Sequence, residues 1–219
     1  MPDNIAGHPS VKNHSSRTGL KPSEMLLDRS YHHAAMKRLQ DSWKRGRPDI
    51  VHFALMEALS TPLFLKSMLK VYVHTVNDKV ITIADNLRLP KSYFRFEGLM
   101  VSLFRDGEVK SNEGAVLMEL AGGTFSSLVK GIGADKIVGL STAGVQSSVH
   151  KVADIARGLD DCAFVIGGFP NGHFSEKVTK NLGPTYSISE IGLEAHVVVA
   201  RILYECELLE ESIYHEGNE

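Results

Sequence analysis

Residues 136–168, KIVGLSTAGVQSSVHKVADIARGLDDCAFVIGG, carry the pattern that decides the fold. A short apolar run, KIVGLS (136–141), gives way to a glycine-containing link. SSVHKVADIARGL follows, in which Val149, Val152, Ile155, Ala156 and Leu159 recur at helical spacing. A second apolar run, CAFVIGG (162–168), comes next. Strand, helix and strand in this order, with strands apolar on both faces, predict a parallel sheet covered by helices.

The same rhythm extends both ways. Upstream, VLMEL (116–120) reads as a strand and FSSLVKGIG as a helix that Thr124 can cap. Downstream, TYSIS (185–189) reads as a further strand, and EIGLEAHVVVARILYECELLEE as a long final helix. In open α/β sheets ligands settle outside the carboxyl ends of the strands. Three such exits are rich in small residues: GLSTAG (139–144), GGFPNG (167–172) and SISEIG (187–192). A single glycine loop is usually a turn; three in successive units predict the walls of one pocket. The chain has no GxxxxGK[ST] loop, no GxGxxG opening a helix after an early strand, and no GxSxG elbow. What fits best is a ligand recognised by main-chain groups, such as an adenosine-bearing sulfonium.

At 219 residues, 43% hydrophobic and 23% charged, the chain suits one domain with a substantial core. No stretch approaches the roughly 18 apolar residues of a membrane span, and the first residues lack the apolar segment of a signal peptide. Cys162 and Cys206 form no CxxC pair and belong to no metal-ligand spacing. The expectation is a cytoplasmic protein with buried thiols, no metal and no membrane contact.

The formal charge of −2 conceals an asymmetry. Residues 1–110 carry 17 Lys and Arg against 11 Asp and Glu; residues 111–219 carry 7 against 15. A basic front half points to a polyanionic partner and leaves a different task to the rear. Two front segments concentrate the charge. MKRLQDSWKRGRPDIVHFALMEAL places Lys44, Arg45 and Arg47 beside Trp43, with Pro48 biasing Arg47 towards an extended conformation. Arg47 and Asp49 are then expected to project to one side of an entering strand and to pair. In LRLPKSYFRFEGLM a helix is expected from Pro90, with Lys91 and Arg95 on one face and Arg88 just ahead. With Tyr93 and Phe94 among them, these side chains suit phosphates and stacked bases.

LLDRSYHHAAMKRL, KRGRPDIVHFALMEAL, VYVHTVNDKVITI, LRLPKSYFRFEGLM and FVIGGFPNG together resemble the archaeal ribosome-biogenesis pseudouridine-N1 methyltransferases of the SPOUT superfamily. The resemblance runs from about His8 to the final helix. It implies a single α/β SPOUT domain (1–219), a homodimer, and a rear half (about 111–219) threaded into a trefoil knot, an exception to the rule that chains avoid knots. It implies S-adenosylmethionine held by Leu140, Ser141, Thr142 and Gly144, by Gly167, Gly168, Phe169 and Gly172, and by Ile188, Ser189 and Leu193. Arg47 and Asp49 become the catalytic pair, and Arg45, Arg47, Arg88, Lys91 and Arg95 of the front half (about 1–110) the small-subunit rRNA contacts. Members usually carry an apolar first strand ahead of the segment matching PDNIAGHPSV, so a core strand is expected to be missing here. Two other readings stay open: a non-catalytic RNA-binding assembly factor, and a SPOUT enzyme acting on another RNA base or a ribose.

Overall fold

The computed structural model describes residues 1–210 apart from Asn86, Gly158 and Asp160. Helices α1 (Asp3–Ala6), α2 (Pro9–Thr18) and α3 (Arg29–Met36) form an N-terminal layer around buried Ile5, Val11, Met25 and Ala35. Helices α4 (Pro48–Ala58) and α5 (Pro62–Leu65) lead into the hairpin β1 (Tyr72–His74) and β2 (Lys79–Ile83). Then come α6 (Tyr93–Asp106), β3 (Glu108–Lys110), β4 (Val116–Gly122) and α7 (Phe125–Ile132). The rear comprises β5 (Lys136–Gln146), α8 (Val149–Ala153), β6 (Cys162–Ile166), α9 (Glu176–Thr179), β7 (Thr185–Ser187) and α10 (Ala195–Leu209).

The strands divide into two sheets. One is antiparallel, in the order β1-β2-β4-β3; the other is parallel, in the order β6-β5-β7. The first packs on α6 and α4 through Leu55, Phe64, Ile81, Phe96, Leu103 and Met118. The second packs on α8 and α10 through Val138, Leu140, Val152, Val199, Ile202 and Leu203. Helix α4 serves both cores, with Leu55 in one and Ala58 in the other, and so does α5, with Phe64 in one and Leu63 in the other.

The expected parallel α/β unit is present, with four changes of detail. VLMEL is a strand, but β4 joins the antiparallel sheet between β2 and β3, so the parallel sheet begins only at Lys136. Strand β5 runs on through the supposed exit loop. It pairs with β7 at Gly139 and Leu140, bulges, and pairs again at Val145 and Gln146. The helix of SSVHKVADIARGL stops at Ala153 and tightens to a 3-10 turn over Asp154–Ala156, which leaves Leu159 outside it. The charge boundary near residue 110 falls between β3 and β4, which pair with each other.

The bulge in β5 explains Gly144. A Cβ there would lie 2.6 Å from the Thr185 carbonyl oxygen and from the Tyr186 backbone. Main chain is pressed on main chain, so the missing side chain is required by the fold itself. Gly144→Ala should therefore destabilise the protein by about 3 kcal/mol. Gly98→Ala, on α6 where an added Cβ meets nothing within 4 Å, should stabilise it by roughly 0.5–1 kcal/mol. Chemical denaturation of the two variants beside wild type measures both.

Candidate active site

The first turn of α4 is the centre of the site. Pro48 occupies the first helical position, where its missing N–H costs nothing, and Arg47 precedes it at φ −130° and ψ 66°. Arg47 and Asp49 thus meet across the start of a helix, not along the strand that the sequence suggested. The pairing itself is present. Arg47 Nε donates to both Asp49 oxygens at 2.8 and 3.0 Å, and Nη2 to Oδ2 at 2.7 Å. This two-nitrogen grip fixes the plane of the guanidinium and leaves Nη1 outside the pair. The side chains are 39% and 30% exposed, so a ligand can reach them and the pair adds at most about 1 kcal/mol to stability. The hydrogen bonds from Arg47 hold the Asp49 carboxyl below the usual carboxylate range, and Asp49 raises the guanidinium further.

A buried polar network fixes this loop from behind. The backbone N–H of Arg29 donates to the Gly46 carbonyl at 2.8 Å, and its Nη2 to the Ser42 carbonyl at 2.6 Å. Gly46, at φ 75°, packs against Met36. The neighbouring Asp28 caps α3 through Ser30 N at 2.7 Å and accepts from the Tyr93 hydroxyl at 3.1 Å, which ties the start of α6 to the same point. Burial and the Asp28 charge push the Tyr93 phenol far above its ordinary value. The Asp28 N–H donates to His32 Nδ1 at 3.0 Å, so His32 carries its proton on Nε2 and donates it to His14 Nδ1 at 2.9 Å. His52 Nε2 donates to the Pro90 carbonyl at 2.8 Å and anchors the second basic segment to α4.

The three small-residue segments meet one another, and the second of them reaches α4. Leu140 is buried in β5, whereas Thr142 is exposed on the bulge. Ser141 Oγ lies 3.4 Å from His173 Nδ1, joining the first segment to the second. Gly144 lies against Thr185 and Tyr186 of β7, joining the first to the third. Gly167 and Gly168 follow β6; the Phe169 ring covers Gly167, while Gly168 is exposed. A Cβ on Gly168 would come no closer than 3.7 Å to Val51 of α4. Gly172 needs its φ of 90° and sits beside Trp43 and Lys44. Lys44 donates to the His173 carbonyl and lies 4.8 Å from the centre of the Phe169 ring, so the basic loop clasps the glycine loop. After β7, Ser187 Oγ donates to the Ser189 carbonyl at 2.8 Å, and Ile188 packs in the rear core. Leu193 is half-buried ahead of Glu194, whose charge is felt at Arg47.

The proposed RNA contacts are more dispersed. Arg45 is already engaged, by the Gln40 carbonyl at 2.9 Å and by Asn77 at 3.0 Å. Helix α6 begins at Tyr93 with Ser92 before it, so Lys91 lies outside the helix and does not share a helical face with Arg95. Arg88 and Lys91 line a separate cavity of about 600 Å³ with Leu59, Phe64 and Asp85. Arg95 is exposed on α6, next to Phe94, which is 81% exposed.

The comparisons with known proteins agree on one assignment. The family model described as EMG1/NEP1 methyltransferase matches residues 6–207. The chain belongs to that family. The ribosomal RNA small subunit methyltransferase Nep1 of Thermococcus onnurineus is 38% identical over 206 residues, covering 94% of this chain and 92% of its own. The Nep1 of Saccharolobus solfataricus is 36% identical over 94% of this chain and 90% of its own length. A crystal structure of Archaeoglobus fulgidus Nep1 bound to S-adenosylhomocysteine matches with a TM-score of 0.82 at 35% identity, over 95% of this chain and 92% of that one.

In this EMG1/NEP1 member the sequence reading passed over Asp28, Arg29, His32 and His173, although the Asp-x-Ser step at 28–30 is a legible helix cap. Among the described residues no cluster of three or more His, Cys, Asp or Glu is placed to hold a metal ion, and no helix is long and apolar enough to cross a membrane.

Burial, and then the proximity of His14, lower His32 from the ordinary 6.5 to about 4. Between those values the unfolded chain binds a proton that the folded chain refuses, so stability falls as pH drops below about 6.5. By pH 5 the loss is about 2 kcal/mol. Thermal unfolding from pH 7.5 to 5 should show this slope in wild type and a shallower one in His32→Gln.

Proposed function

We propose that this protein transfers the methyl group of S-adenosylmethionine to N1 of a pseudouridine in a hairpin loop of small-subunit ribosomal RNA. The observation that carries this reading is the joining of the three bare segments to one another, Ser141 to His173 and Gly144 to Thr185 and Tyr186, with Gly168 brought against Val51, two residues beyond Asp49 on α4. The names of the relatives support the rRNA substrate, and the product held by the Archaeoglobus fulgidus protein supports the cofactor. Pseudouridine as the base rests on the RGRPDI and RLPKSYFRFEGLM segments.

The residues present fit such a cofactor. Gly168 is exposed with no Cβ, and Thr142 and Ala143 are exposed on the β5 bulge, so a ligand with an adenosine and a methionine moiety can approach main chain at both places. Leu140, Ser141, Thr142 and Gly144, then Gly167, Gly168, Phe169 and Gly172, and finally Ile188, Ser189 and Leu193 would line it, with the chain crossing in a trefoil knot. The bound sulfonium supplies an already activated methyl group, which leaves the protein to provide position and charge.

Arg47 meets the second of these needs. As the acceptor nitrogen loses its proton, negative charge spreads to the flanking carbonyls, and a guanidinium held in one plane stabilises it. Asp49 is a weak base while Arg47 depresses its pKa, so its role is to orient Arg47 and the proton leaves to water. Arg45, Arg88, Lys91 and Arg95 hold phosphates. The front half (about 1–110) then binds RNA and the rear (about 111–219) the cofactor within one domain, and the protein works as a cytoplasmic homodimer.

Calorimetry with S-adenosylmethionine should show binding by wild type and none by a folded Gly168→Arg variant, whose side chain fills the second segment. Methyl transfer should occur to pseudouridine hairpins and not to uridine hairpins of the same sequence. Transfer to uridine or to a ribose would replace the base assignment. Cofactor binding without transfer to any of these RNAs would favour an assembly factor. Arg47→Ala should lower kcat by about 100-fold or more with little change in cofactor affinity, and Asp49→Asn should cause a smaller loss in the same direction.

A further inference from the structure

Trp43 is the protein's one tryptophan, and it is 51% exposed. It stands on a 3-10 turn over Ser42–Lys44, which begins where Asp41 takes a left-handed φ of 52°. The turn is tied down on three sides. Arg29 Nη2 of α3 donates to the Ser42 carbonyl at 2.6 Å, Arg45 Nη1 donates to Asn77 Oδ1 in the β1–β2 turn at 3.0 Å, and Lys44 donates to the His173 carbonyl of the second glycine segment. Among the described residues the indole itself has no hydrogen bond and no ring partner. Its Nε1 and Cδ1 lie 3.6 and 3.7 Å from where a Cβ on Gly172 would stand, so one edge of the ring rests beside bare main chain. A turn braced in this way presents a large apolar surface with little freedom left to lose when a ligand covers it.

The surroundings select the ligand. Residues 37–47 carry Lys37, Arg38, Lys44, Arg45 and Arg47 against Asp41 alone, and Lys37 and Arg38 are exposed. A planar ring among cations suits an unstacked base on a phosphate backbone. S-adenosylmethionine also carries a planar base, but it brings a sulfonium cation that this run of like charge repels. The ring stands four residues ahead of Arg47 and beside Gly172, in the segment whose Gly168 reaches Val51 of α4. A base lying on the indole is therefore a neighbour of a base at Arg47.

The geometry points to Trp43 as a stacking platform for an unpaired base of the substrate RNA, next to the base that is methylated. This inference rests on the RNA-methylation reading above and deepens it. Arg29, Lys44 and Arg45 place the turn, and the indole holds the neighbouring nucleotide out of its own stack, which fixes the register of the hairpin loop at Arg47. Stacking accepts any base, because every base has a π-face. Trp43 thus contributes affinity and register, and its share of the binding is insensitive to salt, unlike that of the phosphate contacts.

With no second tryptophan in the chain, indole fluorescence reports this ring alone. Titration with a pseudouridine hairpin should quench it, and S-adenosylhomocysteine without RNA should leave it unchanged. Trp43→Ala should raise the Kd for the hairpin at least about fivefold. The same variant should keep the wild-type slope of log K against log salt, the wild-type cofactor affinity and the wild-type thermal unfolding, and Trp43→Phe should restore most of the lost affinity. Arg88→Ala supplies the contrast, reducing that slope by about one. Fluorescence unmoved by RNA, or wild-type affinity in Trp43→Ala, would overturn the proposal. Quenching by S-adenosylhomocysteine alone would assign the ring to the cofactor instead, and a reduced salt slope in Trp43→Ala would show that the turn and its cations had moved and that stacking was not what was lost. All of these are binding measurements. A protein that quenches on RNA yet methylates no pseudouridine would overturn the functional reading and leave the stacking platform standing.

Discussion

Helix α4 is the constraint on which the rest of the molecule depends. With the short α5 that follows, it carries residues into both cores: Leu55 and Phe64 pack under the antiparallel sheet, Ala58 and Leu63 against the parallel one. These two helices therefore set the relation between a front sheet and a rear sheet. The same helix begins at Arg47 and Pro48 and touches the glycine segment through Val51. Any displacement that loosens the two cores would also move the charged pair away from the segments it faces. Structural and chemical roles are joined in one short helix, and Pro48 fixes where it starts.

Around that helix, several buried polar side chains hold neighbouring elements in place. His32 is fully buried and Asp28 nearly so; Asp28 caps α3 and accepts from Tyr93 at the start of α6, and His32 links it to His14 on α2. Arg29 holds the loop before Arg47, Tyr93 holds the start of α6, and His52 holds Pro90. Buried hydrogen-bonded groups of this kind cost much when broken singly, which makes the loop geometry an all-or-none property. The exposed Lys44 clasp on His173 and Phe169 is of another sort, able to open without disturbing the core.

Much of this was legible in the sequence because apolar runs report burial directly. Strands β6 and β7 and the first half of β5 stand where the runs place them, and α10 occupies its run from Ala195 onward. VLMEL shows the limit of that signal: a short run shows that a strand is buried but not which strands flank it, and β4 found its partners in β2 and β3. Pro48 carried two meanings at once. It kept Arg47 out of the helical region and also began a helix, and only the first was used in expecting a strand. Lys91 fell outside α6 for a similar reason, because Ser92 and not Pro90 precedes the first turn. The glycines at 139–144 and 167–172 read as ligand-facing, yet Gly144 is bare because β7 lies on it. Beyond the cap at Asp28, the Asp28–His32 network left no pattern, since its members are brought together by tertiary packing from three separate segments.

The double pairing of β5 with β7 has a consequence for the order of assembly. Gly139 meets Thr185 and Val145 meets Tyr186, so the centre of the rear sheet is completed by chain made more than 40 residues later. Contacts of such separation form slowly, because the intervening loop must close before they contribute. During synthesis the β5 bulge can acquire its shape only once Thr185–Ser187 has left the ribosome. That late step exposes β5 to competing pairings until β7 arrives.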